Sequence, residues 1–219
     1  MSRAKTSLTA LILALGACAS TPDPEAEAQA ELARAIEDAT KPATPEEIEA
    51  ANNSDPLTKA NFWANEYNKS PKDLDVAMTF VSALRGIGSN ERAIEVLSQT
   101  LVEHPDNPDL LMALGKVFSA EDNLMGAARA FEKAAVVMPE RADAWSAFGI
   151  TLDKLERHDM AQAAYDKALA LEPTRTTTLA NYGLSLALSG DLTGAEAKLR
   201  LAAEQPDADL RVTENLALI

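Results

Sequence analysis

The sequence is poor in cysteine, glycine, proline and positive charge, and each scarcity removes a class of protein. One cysteine, Cys18, in 219 residues excludes an intrachain disulfide framework and a cysteine-based zinc site. Nine glycines and eleven prolines are too few for a collagen-like or low-complexity chain. Lys and Arg number 20 against 34 Asp and Glu, a net charge of −14, so no basic face is available to release counterions from a nucleic acid. The two histidines, His104 and His158, have no second His, Cys or paired carboxylate at ligand spacing. No G-x-S-x-G and no phosphate loop occurs, so the sequence offers no catalytic residues, no metal site and no cofactor. What is present is 47% hydrophobic residues, enough for a real core. One or two compact domains, or an array of repeats, fit this length.

The start of the chain reads as an address. Arg3 and Lys5 precede an apolar run over 8–17, followed by Cys18. That run is about half of the ~20 residues a membrane-crossing helix needs. Leu15-Gly16-Ala17-Cys18 resembles the bacterial lipobox, in which cleavage precedes a lipid-modified cysteine. An ordinary cut within Ala17-Cys18-Ala19, and a buried Cys18, are the competing readings. Lipidation at Cys18 implies a protein held on a membrane by several acyl chains without spanning it. Ala19, standing where an Asp would resemble an inner-membrane retention signal, implies the periplasmic face of an outer membrane. Segment 18–56 then carries ten acids against Arg34 and Lys41, with five prolines, which predicts a flexible, solvated tether. Within it 25–39 reads as a helix with a thin Leu32/Ile36 stripe, either a transient helix of a spacer or a docking helix.

The rest of the chain repeats every 34 residues. In units beginning at Pro108 and Ala142, the fourth, seventh, eighth and eleventh places hold Leu111, Leu114, Gly115 and Phe118, then Trp145, Phe148, Gly149 and Leu152. The twentieth, twenty-fourth, twenty-seventh and thirty-second hold Ala127, Phe131, Ala134 and Pro139, then Ala161, Tyr165, Ala168 and Pro173. This pattern resembles the tetratricopeptide repeat. The resemblance implies an all-α solenoid of antiparallel helix pairs curving into a right-handed superhelix. Units at 74–107 and 176–209 keep the signature less fully. Val81 replaces the usual Gly in the first, leaving its helix packing open, and Pro206 comes one place early in the last. Residues 57–73, with Phe62, Trp63 and Tyr67, read as a capping half repeat whose aromatics serve the core rather than a ligand. Residues 210–219 begin a fifth helix, which either packs on the last unit or marks a sequence truncated relative to its relatives.

The signature has a physical reason. Places 4, 7, 8 and 11 form one stripe of the first helix, turned toward the second. A small residue at places 8 and 20 lets the two backbones approach, and proline at place 32 ends the second helix. Breakers mark turns at Gly88-Ser89-Asn90, Asp122-Asn123 and Ser189-Gly190-Asp191.

First helices of such arrays line a concave, peptide-binding side. Places 2, 5, 9 and 12 give an exposed stripe that includes Met78 and Arg85, Met112 and Lys116, Ser146, Ile150 and Asp153, then Ala180 and Leu184. The candidate partner-binding residues are Met78, Arg85, Met112, Lys116, Ile150 and Leu184. The methionines would form an adaptable apolar floor, and Arg85 and Lys116 would meet a partner's carboxylates. Ordinary half-buried positions are the alternative. The Lys and Asn set by which chaperone-binding repeats clamp a terminal carboxylate is not reproduced.

The lipobox, the acidic tether, Phe62-Trp63, Tyr67, Ser70-Pro71-Lys72-Asp73, four repeats and a closing Arg211-Val212 with Asn215-Leu216-Ala217-Leu218 together resemble the TadD family, lipoproteins of the Tad/Flp pilus assembly system. The resemblance implies a non-enzymatic scaffold whose partner is the outer-membrane pilus secretin or another component of that system. The other reading is a general periplasmic adaptor that recruits cell-wall enzymes.

Overall fold

The computed structural model describes residues 24–219, so the segment 1–17 and Cys18 lie outside it. Among the described residues there are twelve helices and no strand: α1 (Pro24–Thr40), α2 (Pro45–Asn52), α3 (Pro56–Lys69), α4 (Leu74–Gly86), α5 (Asn90–Glu103), α6 (Pro108–Ala120), α7 (Leu124–Val137), α8 (Ala142–Lys154), α9 (His158–Leu171), α10 (Thr176–Leu188), α11 (Leu192–Ala203) and α12 (Leu210–Ala217). Helix α1 belongs to one unit of the chain and residues 42–219 to another. Leu32 and Ile36 of α1 are exposed.

The linker expected over 18–56 differs from the structure in its second half, which joins the folded body. Thr44 and Glu47 form a reciprocal capping box, and Pro45 starts α2 where its missing N–H costs nothing. Ala51 is then buried, Ile48 packs on the cluster around Trp63, and the Trp63 indole donates to Asn52 Oδ1 at 3.3 Å.

From α4 onward, α4/α5, α6/α7, α8/α9 and α10/α11 are hairpins, with first helices starting at Leu74, Pro108, Ala142 and Thr176. The turn inside each hairpin repeats to the atom. Gly88, Asp122, Glu156 and Gly190, each 34 after the last, have φ of 72°, 55°, 59° and 93°. The next amide closes the turn on the first helix: Ser89 N to Leu84 O, Asn123 N to Phe118 O, Arg157 N to Leu152 O and Asp191 N to Leu186 O, all at 2.8–2.9 Å. A left-handed backbone costs an L-residue roughly 1–2 kcal/mol, and Gly loses roughly 0.4–1 kcal/mol more unfolded-state freedom. Glu156→Gly is therefore expected to raise stability by about 0.5–1 kcal/mol, read as a higher urea midpoint at constant slope.

Close approach within each hairpin is set by the eighth-place glycine. A Cβ on Gly115 would stand 2.5 Å from the Phe131 ring, and one on Gly149 would stand 2.6 Å from Tyr165. One on Gly183 would stand 2.7 Å from Leu199 Cγ. Where Val81 takes this place, α4 and α5 approach less closely than the helices of the following pairs, though Val81 and Leu97 are both buried. Pair stacks on pair through α5/α6, α7/α8 and α9/α10, which gives a solenoid with a core running along its length. Helix α12 closes the described chain by burying Val212 against Leu179, Leu199 and Ala202.

A candidate protein-interaction face

The first helices form a row, in which α10 touches both α8 and α12. The row is entered through a series of N-cap positions 34 apart, Asp73, Asn107, Arg141, Arg175 and Asp209. Asp73, Asn107 and Asp209 accept backbone amides, as short polar caps do. Arg141 and Arg175 have no acceptor and make no side-chain cap bond. Arg141 instead reaches across two units, with Nη1 2.6 Å from Asp109 Oδ1 and Nε 2.8 Å from Asp143 Oδ1. These bonds, Asp143 first, raise the pKa of Arg141. Burial pushes the Asp143 carboxyl up, but Arg141, Arg175 and Lys116 outweigh it and hold it below the usual carboxylate range.

Between α8 and α10 lies a polar junction. Asp153 Oδ1 accepts from the Ser185 hydroxyl at 2.7 Å and lies 2.9 Å from His158 Nδ1, while Oδ2 accepts from the Tyr165 hydroxyl at 2.8 Å. One carboxylate thus joins α8, α10 and α9. Burial and then the Asp153 charge push the Tyr165 phenol well above its ordinary value. Above Asp153 in the same stack, Thr178 donates to Ser146 at 3.0 Å, both of them buried. Tyr182 is pushed up to about 12 by burial and by Asp166.

The six sequence-chosen residues do not form one site. Met112 is 3% exposed and belongs to the core around Phe131, so it is no part of an open floor. Met78 is half-buried and packs on the core around Trp63 and Phe80. Arg85 and Lys116 are exposed, on α4 and α6. Ile150 and Leu184, both half-buried, are brought together in a cavity of about 510 Å³ formed by α8, α10 and α12. Asp207, Glu214 and Val212 also line it; none of them lies on the first-helix stripe of the four full units, Asp207 falling in the loop that closes 176–209 and the other two in the fifth helix, for which packing on the last unit was one of two readings. The signal was Asp209, 34 after Arg175, which continues the series of cap positions. No group of His, Cys, Asp and Glu that could hold a metal ion occurs among the described residues, and no described helix is long and apolar enough to cross a membrane.

A family model for the tetratricopeptide repeat matches residues 78–147 and 146–209. The chain belongs to the tetratricopeptide repeat family. Solved tetratricopeptide structures share its architecture. A crystal structure of MamA protein is 22% identical with a TM-score of 0.63, covering 68% of this chain and 82% of that one. MamA from Desulfovibrio magneticus RS-1 is 18% identical with a TM-score of 0.64, covering 74% and 96%. A MamA AMB-1 structure is 24% identical with a TM-score of 0.62, covering 72% and 93%. Likeness at these identities concerns the fold. No curated protein matches the chain. Arrays of tetratricopeptide repeats bind protein partners along a face built by successive repeats, and here the first-helix row holds the 510 Å³ cavity.

Proposed function

We propose that this tetratricopeptide chain is a non-enzymatic interaction scaffold, lipid-anchored through Cys18 at the periplasmic face of the outer membrane, that assists assembly of a Tad/Flp pilus. The observation that carries the scaffold reading is the solvent-open cavity on the first-helix row, lined by Ile150 and Leu184 and bordered by α8, α10 and α12. The pilus reading is supported by the resemblance of Leu15-Gly16-Ala17-Cys18, Ser70-Pro71-Lys72-Asp73 and Asn215-Leu216-Ala217-Leu218 to that family's lipoproteins. The partner is then the pilus secretin or a component that handles it, held while its subunits multimerise. Scaffolds of this kind act by raising the local concentration of a bound segment rather than by altering its bonds.

Affinity capture from detergent-solubilised outer membranes is expected to recover a secretin or another pilus component, and gene deletion to remove secretin multimers and surface pili. Capture that recovers cell-wall enzymes with pili intact in the deletion strain would support the general adaptor instead. For the anchor, radiolabelled palmitate is expected in the wild-type protein and absent from Cys18→Ser.

A further inference from the structure

From the cavity between α8, α10 and α12 we infer the chemistry of the bound segment: a short stretch pairing bulky apolar side chains with adjacent Lys or Arg. The inference rests on the scaffold reading and adds a selection rule to it.

The floor of the cavity is apolar, made by Ile150, Ala180, Leu184 and Val212. Ile150 and Leu184 are only half-buried by the chain itself, so apolar surface remains for a partner to cover. The rim is acidic, and its charges are not all spent internally. Arg211 donates from Nε and Nη2 to Asp209 Oδ2, at 2.9 and 2.7 Å, and the other oxygen of Asp209 caps the Val212 amide at 3.2 Å. The single cation of the lining is thus used up. Asp207 accepts from the Thr176 hydroxyl, which orients the carboxylate without neutralising it. Neither Asp207 nor Glu214 is in an ion pair among the described residues. An apolar floor beneath two uncompensated carboxylates favours apolar side chains flanked by cations, and it disfavours the same side chains flanked by acids.

The net charge of −14 works in the same direction, drawing basic segments in and holding acidic ones off. It also argues against a second copy of this chain as the occupant, because that copy carries the same excess of acid. Arg85 and Lys116 sit on α4 and α6, away from this cavity, so they do not offset its rim.

The test is fluorescence anisotropy on the purified protein with two labelled peptides, one with paired leucines flanked by lysines and the other with glutamates replacing the lysines. At low salt the lysine peptide is expected to bind about ten-fold tighter, the effect of two partly screened ion pairs. Asp207→Asn with Glu214→Gln keeps the Thr176 acceptor and is expected to erase most of that preference. Leu184→Asn, which removes apolar floor without adding charge, is expected to weaken the lysine peptide at least about five-fold, with thermal melts confirming that each variant folds. Equal affinity for the two peptides would overturn the selection rule, as would binding of neither, or lysine-peptide binding that ignores Leu184→Asn. If the peptides fail in this way while membrane capture still recovers a pilus component, the selection rule falls and the scaffold stands. If capture fails as well, both fall.

Discussion

Asp153→Ala is expected to lower stability by about 2–5 kcal/mol and to loosen the C-terminal half of the array. Its carboxylate accepts from Ser185 and Tyr165, whose side chains are shut away from water, and lies against the His158 ring. Each buried donor left without an acceptor costs about 1–3 kcal/mol, and two are orphaned together. Asp153→Asn retains an acceptor and should cost less than half as much. Because each hairpin contacts only its neighbours, the damage should be regional. Hydrogen exchange should lose protection from α8 to α12 while α4 to α7 keep theirs. Loss spread evenly over all helices would mean that the units do not behave as separable neighbours.

Gly149→Ala is the second large effect, and a control glycine gives it the opposite sign. In an open helix this change gains about 1 kcal/mol. At Gly149 the new Cβ would sit 2.6 Å from Tyr165 Cε1, and the ring cannot slide away without losing its 2.8 Å bond to Asp153. Overpacking of this kind costs about 1–3 kcal/mol and the strained hydrogen bond adds to it, so a net loss of about 1–2 kcal/mol is expected. Gly86, in the last turn of α4, has no atom within 4 Å of its would-be Cβ. Gly86→Ala should therefore stabilise by up to about 1 kcal/mol. Urea midpoints of the two variants moving in the same direction would contradict this account of the close approach.

The fold class was legible because its signal is periodic: small residues at places 8 and 20 and large ones at places 4, 11 and 24 recur every 34 residues until chance is no explanation. The turn in the third hairpin was not legible. Gly88 and Gly190 are breakers, but Glu156 has no preference for the left-handed region and adopts it because the helices on either side impose the same geometry. Helix α2 was hidden by its acids, which dominate composition, although Thr44, Glu47, Ile48 and Ala51 hold the cap and the contact face.

The surface stripe was the weakest inference, because counting places along one helix ignores the neighbouring first helices. Those neighbours bury Ser146 under Thr178, and Met112 and Ala180 are also closed off from solvent. They also turn Asp153 from a surface acid into a junction. Ile150 and Leu184 were found by the stripe, but the acidic rim that gives their cavity a preference came from α12 and the loop before it.

The central claim, that the first-helix row is the surface on which partners dock, is tested most directly by a photo-crosslinking residue placed in living cells at Leu184 and, separately, at Val136 on the exposed side of α7. The account predicts a discrete protein adduct from Leu184 and none from Val136. Adducts of equal yield from both positions, or from Val136 alone, would contradict it.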